Sequence, residues 1–308
     1  MRGWWRDLTD LVLPAECGGC GRPRAVLCPE CRAALSGAAP CRVRPVPEPT
    51  GLPAVHAAAP YADEVRAALL AHKERGALAL ATPLGTALAG AVRAALAPVR
   101  RPAPTGRPVA SRGPLRLGKG ETRGDRWGSD GGGTGVGGPV GPYGPVLLVP
   151  VPSARWAVRA RGHDPARRIA LAAAGELRRT GTPARVLGVL RQRRAVADQS
   201  GLNSRQRLDN MAGALEVVAG GGRLLAEGGR VVLVDDLMTT GASLTEAARA
   251  VRAARSGASA MWWTGERTER EEVEWRIVGR DEAGGTSGDA VCSAVVAAPS
   301  NAFEINRN

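Results

Sequence analysis

Continuous apolar runs alternate with amphipathic stretches along this chain. Residues 146–149 and 231–234 are runs of β-branched and aliphatic side chains with no polar alternation. Runs of this kind are typical of parallel strands that are covered on both faces. Shorter runs at residues 55–59 and 185–190, and a longer one at 291–298, predict further strands. The pattern therefore predicts an α/β domain built on a mostly parallel sheet.

Apolar residues at helical spacing predict the helices that connect these strands. An amphipathic helix is also expected near the start, over residues 4–13, where Pro14 ends it. Asp164 is placed to cap a helix that has Pro165 in its first turn. The expected connecting helices cover residues 61–74, 83–97, 165–179 and 244–255.

The strand at residues 231–234 leads into the clearest chemical motif of the chain. Asp235 and Asp236 end the strand, and a small-residue loop and an Ala-rich helix follow. Adjacent carboxylates can accept hydrogen bonds from two neighbouring sugar hydroxyls, and a loop that opens a helix offers backbone N–H groups to a phosphate. Alternatively, the run is a buried strand before a capped helix, and both acids are ordinary loop residues. The candidate phosphate-binding residues are Thr239, Thr240, Gly241, Ala242 and Ser243.

Two Cys-x-x-Cys pairs near the start of the chain indicate a metal site. Four thiolates at this spacing can surround Zn²⁺ as a tetrahedron, and the intervening glycines permit the tight turns that this requires. So small a unit would need the metal in order to fold. Free or redox-active thiols are the alternative. The expected ligands are Cys17, Cys20, Cys28 and Cys31, whereas Cys41 and Cys292 lack paired partners and are interpreted as ordinary residues.

The composition narrows the location and the partners of the protein. Its 308 residues contain no continuous apolar run of the roughly 18 residues that a membrane span needs. Paired cysteines, and tryptophans that interrupt the apolar core of a secretory peptide, predict a cytoplasmic protein. The formal net charge of +13 is compatible with nucleic-acid binding. However, only Lys73 and Lys119 are lysines. The many arginines match a general compositional bias of the chain, so they are weaker evidence for a nucleic-acid partner.

Shifts in composition divide the chain into a head and a main domain. We expect the metal-binding head over residues 1–45 and the α/β domain over residues 54–298. Residues 98–145 are dominated by Pro, Gly, Arg and Ser, which cannot bury enough apolar surface to offset the entropy of ordering, so we interpret them as a disordered insertion. A turn at Gly257 and a second insertion over residues 261–289 are also expected.

The two acids and the Thr-Thr-Gly loop resemble the motif by which type I phosphoribosyltransferases bind 5-phosphoribosyl diphosphate (PRPP). Other stretches are similar to the ComF/GntX branch, named for a protein of bacterial DNA uptake, which carries a similar zinc-ribbon-like head. The aromatic residue and Asn that are usual after Arg-Gly in that branch are His163 and Asp164 here. The matching residues are Tyr61, Lys73, Gly76, Pro150-Val151-Pro152, Arg161-Gly162, Gln199, Gly201, Leu202, Arg207 and Asn210.

The resemblance implies a doubly wound α/β fold whose ligand lies at the carboxyl ends of the strands. It implies transfer of a phosphoribosyl group from PRPP to an unidentified nitrogen acceptor, with Mg²⁺ as a cofactor and Zn²⁺ as a structural metal. Asp235 and Asp236 would hold the ribose hydroxyls, and residues 239–243 the 5′-phosphate. The remaining substrate contacts are assigned to Lys73, Val151, Pro152, Arg155, Arg191 and Arg207.

Two functions of different classes are compatible with these residues. One is the phosphoribosyltransferase. The other is a non-catalytic competence or regulatory protein that binds PRPP or single-stranded DNA and has the DNA-uptake machinery as a partner. An Arg-rich loop that begins at Arg191 could close over the diphosphate as a lid, or could be an exposed basic loop. The acceptor does not follow from the sequence, and the oligomeric state stays open, a dimer included.

Overall fold

The structure, a computed structural model, describes residues 16–97, 144–196, 201–226, 229–264 and 291–306. In residues 258–264 and 304–306 only the backbone is described. The helix expected over residues 4–13, Gln199 and most of both expected insertions lie outside this part of the chain.

Six of the strands form one sheet, and the other two pair separately. The strands are β1 (Cys41–Val43), β2 (Val55–Pro60), β3 (Val146–Pro150), β4 (Ala184–Val186), β5 (Leu190–Gln192), β6 (Leu215–Val217), β7 (Arg230–Leu237) and β8 (Cys292–Ala298). The six-stranded sheet has the order β1-β2-β8-β7-β3-β4. Within it β1 is antiparallel to β2, and the other neighbours are parallel. β5 and β6 are antiparallel. The prediction of an α/β fold with a mostly parallel sheet is confirmed.

Helices connect most of these strands. They are α1 (Pro29–Ser36), α2 (Asp63–Glu74), α3 (Ala81–Leu96), α4 (Arg155–Arg161), α5 (Pro165–Arg179), α6 (Ser204–Met211), α7 (Gly221–Ala226) and α8 (Ala242–Thr264), with short 3₁₀ helices at Leu78–Leu80 and Ser300–Asn306. Asp164 caps α5 as expected, because its Oδ1 accepts a hydrogen bond of 3.2 Å from the backbone N–H of Arg167.

Burial on both faces explains the unbroken apolar run of β7. Val232 and Val234 join a buried cluster that also contains residues of α3 and α5. Val231 and Leu233 point the other way, into a cluster that contains residues of α8. All four side chains are at most 1% exposed. Helices therefore cover both faces of the sheet, and neither face of the strand can carry polar residues.

The most apolar helix of the described chain lies inside the protein. By length and composition alone, Leu78–Leu96 could cross a bilayer, with a mean hydropathy of 1.3. Leu84, Leu88 and Val92 from this stretch are at most 1% exposed. They belong to the same buried cluster as residues of α5 and β8. The packing therefore identifies α3 as a core helix.

The head and the main domain share one hydrophobic core. Leu27 and Leu35 of the head lie in the same buried cluster as Leu84 of α3. β1, which lies within the expected head, pairs with β2 at the edge of the main sheet. The expected boundary at residue 45 therefore lies beyond the first strand of the main sheet.

The prediction of a single strand over residues 185–190 is wrong. The backbone N–H of Leu187 still donates to the carbonyl of Leu148 in β3, at 2.8 Å. Two residues later, the carbonyl of Val189 accepts from Val218 beyond β6, also at 2.8 Å. The chain therefore leaves the main sheet around Gly188, and the apolar run is divided between β4 and β5.

The turn expected at Gly257 is also absent, since α8 continues through this residue to Thr264. A glycine in a helix costs only about 1 kcal/mol relative to alanine, which is too little to end a long Ala-rich helix. The first residues of the expected second insertion, 261–264, therefore belong to α8.

Candidate functional site

A cleft of about 510 Å³ lies at the carboxyl ends of β3 and β7. These strands are parallel neighbours, with Pro150 opposite Val234. The backbone N–H of Val151 donates to the carbonyl of Val234 at 2.9 Å, so the loop after β3 lies beside the two acids of β7. The cleft is lined by Lys73, Glu74, Val151, Pro152, Ser153, Ala154, Trp156, Ala157, Arg161, Gln192, Val196, Arg207, Met211, Asp235, Asp236, Leu237, Thr239 and Ser243.

Asp235 and Asp236 differ in environment although they are adjacent. The backbone N–H of Asp236 donates to Oδ1 of Asp235 at 2.9 Å. Burial raises the pKa of Asp235 well above its ordinary value, the charge of Asp236 raises the pKa further, and Lys73 lowers it. Asp236 is 7% exposed and pairs with a cation instead. The cleft therefore contains two adjacent carboxyl groups, of which Asp235 is half-buried and Asp236 is buried and paired with Lys73.

Lys73 supplies the positive charge opposite these carboxylates. Its Nζ lies 3.2 Å from Oδ2 of Asp236, and its side chain is 35% exposed. The charge of Asp236 is the main cause that raises the pKa of Lys73, with a smaller contribution from Asp235. The last turn of α2 thus brings a permanently charged ammonium group to the acids of β7.

Two contacts fix the end of α2 against the turn between α4 and α5. His163 Nε2 lies 3.2 Å from the carbonyl oxygen of His72, and the two rings meet edge to face at 5.6 Å. Arg161 Nε lies 3.3 Å from Oε2 of Glu74. Both contacts flank Lys73 in the sequence, so they position its side chain at the cleft.

The turn between β7 and α8 lies between two hydroxyl groups, the exposed one of Thr239 and the half-buried one of Ser243. Thr239 and Ser243 line the cleft. Gly241 has a φ of +79°, and a Cβ at this position would lie 3.1 Å from Leu52. Both the left-handed backbone and the close contact therefore favour glycine. The turn places the N-terminus of α8 at the cleft, where its N–H groups attract negative charge.

The small sheet of β5 and β6 forms another wall. Glu246 of α8 is 5% exposed, and its Oε1 accepts a hydrogen bond of 3.0 Å from the backbone N–H of Leu215. Arg249 neutralises this buried carboxylate at 2.7 Å and donates to the carbonyl of Leu215 at 2.9 Å. The Glu246–Arg249 pair therefore attaches β6 to α8, the helix that carries Ser243. Because β5 pairs with β6, its residue Gln192 is held at the cleft, which it lines.

The structure brings eight of the predicted substrate-site residues into this cleft and places five outside its lining. Arg191 is exposed and pairs with Glu216 of β6 at 2.8 Å, while its neighbour Gln192 lines the cleft. Arg155 is an exposed residue at the start of α4. The eight are Lys73, Val151, Pro152, Arg207, Asp235, Asp236, Thr239 and Ser243, and the five are Arg155, Arg191, Thr240, Gly241 and Ala242.

Several lining residues were not among the predicted site residues. Trp156 and Arg161 lie on α4, a short helix that was not among the predicted ones. Alternation in β5 would have favoured Gln192 over Arg191, because successive side chains of a strand point to opposite faces. Met211 is the last residue of α6, and whether it lines the cleft depends on how that helix packs.

The four predicted metal ligands form one cluster in the head. Their sulfur atoms all lie within 4.8 Å of one another, and the sulfurs of Cys20 and Cys28 are 3.6 Å apart. With a Zn–S distance of about 2.3 Å, a tetrahedral site needs sulfurs about 3.8 Å apart. The four cysteines therefore fit a metal ion such as Zn²⁺.

Backbone donors favour a thiolate at one of the four cysteines, Cys17. The N–H of Cys28 donates to the sulfur of Cys17 at 3.2 Å. Burial raises the pKa of Cys17, but backbone N–H groups of Cys20, Cys28 and Gly19 outweigh it and lower the pKa to about 6. A Cβ on Gly19 would lie only 2.7 Å from the sulfur of Cys31, so glycine allows the loop to approach the cluster.

No protein-family model matches this chain, and no curated protein matches it either.

Proposed function

We propose that the cleft binds PRPP and that the protein is a phosphoribosyltransferase of the doubly wound, type I kind that its motif resembles. The observation that carries the proposal is the Lys73–Asp236 pair at 3.2 Å in a cleft that also contains Asp235, Thr239 and Ser243. Acceptors for ribose hydroxyls, donors for a phosphate and a cation for the diphosphate thus lie within one cleft. If both acids were ordinary loop residues, there would be no reason for the acceptors, the hydroxyl donors and the cation to lie in the same cleft.

Each part of PRPP has complementary groups in the cleft. Asp235 and Asp236 would accept hydrogen bonds from the two ribose hydroxyls, and a desolvated carboxylate is a strong acceptor. Thr239, Ser243 and the N-terminus of α8 would hold the 5′-phosphate. Lys73 would exchange its contact with Asp236 for one with the diphosphate when the sugar hydroxyl arrives. The ion pair keeps the buried acid neutralised until then.

Charge stabilisation and positioning would be the main contributions of the protein to the reaction. The bond between C1 of the ribose and the diphosphate oxygen breaks, and the diphosphate leaves with the electron pair. The lone pair of the acceptor nitrogen forms the new C1–N bond, and the proton of that nitrogen passes to water. Lys73 and Arg207 line the cleft and would stabilise the departing negative charge.

Two metals belong to the proposal. Mg²⁺ prefers carboxylates and phosphate oxygens, and bound with PRPP it would neutralise part of the diphosphate charge. Asp235 and Asp236 could approach it, whereas the third carboxylate of the lining, Glu74, pairs with Arg161. Zn²⁺ in the four-cysteine cluster would be structural, since all four positions of a tetrahedral site are occupied by protein ligands. The reducing environment that free thiolates need is consistent with a cytoplasmic location.

The non-catalytic alternative uses the same cleft as a PRPP sensor. It predicts binding of PRPP without turnover, whereas the enzyme predicts release of diphosphate when a nitrogen acceptor is present. A rival site for single-stranded DNA would instead depend on the net charge of +13 and would weaken steeply with salt.

The test is diphosphate release from PRPP and Mg²⁺ across a panel of nitrogen bases and amines. We expect release with at least one acceptor and a loss of about tenfold or more in kcat/KM for Arg207→Ala, because charge-assisted contacts to phosphate are strong. Arg191→Ala is the matched control, since Arg191 pairs with Glu216 outside the cleft lining. Binding of PRPP without release for any acceptor would contradict the enzyme and favour the sensor.

A further inference from the structure

The cleft contains an exposed tryptophan that no part of PRPP explains. Trp156 is the second residue of α4 and is 58% exposed. Among the described residues that line the cleft, it is the only aromatic one. Its neighbour Ala157 is 3% exposed, so the helix itself is well packed at this point.

Exposure of an indole ring is unfavourable for the unliganded protein. Each Å² of apolar surface left in water costs about 25 cal/mol, and tryptophan has one of the largest side chains. The ring does not stabilise the core by packing, because most of its surface faces solvent. Because Trp156 lies at the wall of the cleft, a ligand bound there would cover part of this surface.

The rest of the cleft lining contains both charged and apolar residues. The positive groups of the lining are Lys73, Arg161 and Arg207, which suit a sugar diphosphate, and its acids are Glu74 and the two acids of β7. Val196 and Met211 are buried apolar residues of the same lining, at 8% and 4% exposure. A ligand that fills the cleft would therefore meet apolar residues as well as charged ones. Cleft volumes of about 300–1,000 Å³ are usual for ligands of this size.

We propose that Trp156 is a stacking platform for the acceptor and selects a planar nitrogen heterocycle over an aliphatic amine. The π face of an indole attracts flat heteroaromatic rings with little demand on their hydrogen-bond pattern. More than half of the Trp156 side chain is exposed, and its chain neighbours at this wall of the cleft, Ala154 and Ala157, are small. This inference rests on the proposed function for the identity of the reaction, but the stacking itself can be tested without turnover.

Fluorine NMR provides that test. The full chain, which has seven tryptophans, is labelled with 5-fluorotryptophan, and the signal of Trp156 is assigned as the one missing in Trp156→Phe. Adenine, cytosine and nicotinamide are titrated with and without PRPP and Mg²⁺, and cyclohexylamine serves as the non-aromatic probe. We expect at least one of the heterocycles to shift the Trp156 signal and cyclohexylamine to leave it unchanged.

Affinity measurements on variants distinguish stacking from a structural role. Trp156→Ala should weaken binding of the responsive heterocycle about 5- to 140-fold, while Trp156→Phe retains most of the affinity. PRPP should stabilise Trp156→Ala as much as the parent protein. Leu171→Ala is the control, because Leu171 is 54% exposed on α5 and lies outside the cleft lining.

Three outcomes would overturn the inference. They are a Trp156 signal that no heterocycle shifts, equal responses to heterocycles and cyclohexylamine, and an equal loss of PRPP and heterocycle binding in Trp156→Ala. Failure of the proposed function has a different result, namely that the parent protein does not bind PRPP although a heterocycle still shifts the Trp156 signal.

Discussion

The cysteine cluster of the head and the acidic cleft of the main domain are assembled in different ways. The four cysteines lie within residues 17–31, and each Cys-x-x-Cys pair forms one turn. The cleft instead combines side chains from residues 73 to 243, carried by α2, α4, α6, the small sheet, β7 and α8. Local spacing is therefore enough to predict the first site, whereas the second depends on how distant elements pack.

The two sites also neutralise their negative charges differently. In the head, backbone N–H groups stabilise the thiolate of Cys17, and a metal ion would complete the neutralisation. In the cleft, the side chain of Lys73 neutralises Asp236 directly. A metal ion bound to the four cysteines would therefore stabilise the head, whereas in the cleft a protein side chain already provides a counter-charge. Substitutions at the cysteine cluster and at the Lys73–Asp236 pair would therefore disturb the two arrangements separately.

Removal of one cysteine ligand should have the largest effect. Cys17→Ser should lose the stoichiometric metal and lower the Tm by about 10 °C or more, because structural zinc contributes a large share of the folding free energy of small metal-binding modules. Metal content by mass spectrometry and thermal unfolding followed by circular dichroism measure both effects.

Cys41→Ser and Cys292→Ser are matched controls for this experiment. Both cysteines are partly buried and lie outside the four-cysteine cluster. They should keep the metal and unfold close to the parent temperature. A parent protein without stoichiometric metal, or equal metal loss in Cys41→Ser, would show that the cluster is not the site.

Separation of the Lys73–Asp236 pair should have a smaller effect. Lys73→Met leaves the buried carboxylate of Asp236 without its cation and should lower the free energy of unfolding by about 1–3 kcal/mol. Urea unfolding near neutral pH measures this change. The same substitution should cost much less in an Asp236→Asn background, because the buried charge is then absent.

The double-mutant cycle isolates the coupling between the two side chains. An Asp164→Asn background is the matched control, since Asp164 caps α5 outside the cleft and Asn caps equally well. Lys73→Met should remain fully destabilising there. Equal costs in the Asp236→Asn and Asp164→Asn backgrounds would mean that the two residues do not interact.

Much of the fold follows from the sequence because burial on both faces has a clear pattern. β3, β7 and β8 coincide closely with the continuous apolar runs at residues 146–149, 231–234 and 291–298. The cysteine spacing similarly predicts the metal-binding cluster. The acids of β7 were identified because they end a buried strand and precede a small-residue loop, features that all lie in one short stretch.

The remaining features depend on contacts that local pattern does not contain. The division of residues 185–190 between two sheets is determined by hydrogen bonds to Leu148 and Val218. Gln192 rather than Arg191 reaches the cleft because β5 pairs with β6, where Arg191 lies opposite Glu216. Arg161 and Trp156 reach it through α4, a short helix that the sequence pattern did not predict. Each of these outcomes requires knowledge of a distant partner.

Binding of PRPP and Mg²⁺ is the most direct test of the proposed site. A ligand that binds only the folded state at about a hundredfold excess over its Kd contributes about 2.7 kcal/mol, which corresponds to a Tm increase of roughly 5–10 °C. Thermal unfolding with and without PRPP measures this shift. Asp235→Asn combined with Asp236→Asn should abolish it, because amides present donors where the ribose hydroxyls need strong acceptors.

The control for this measurement is Asp164→Asn, which changes an acid outside the cleft lining and should keep the full shift. The double variant should remain folded without ligand, because the core of β7 is formed by the four apolar residues before the acids. A PRPP shift in the double variant equal to that of the parent protein would contradict the assignment of the site.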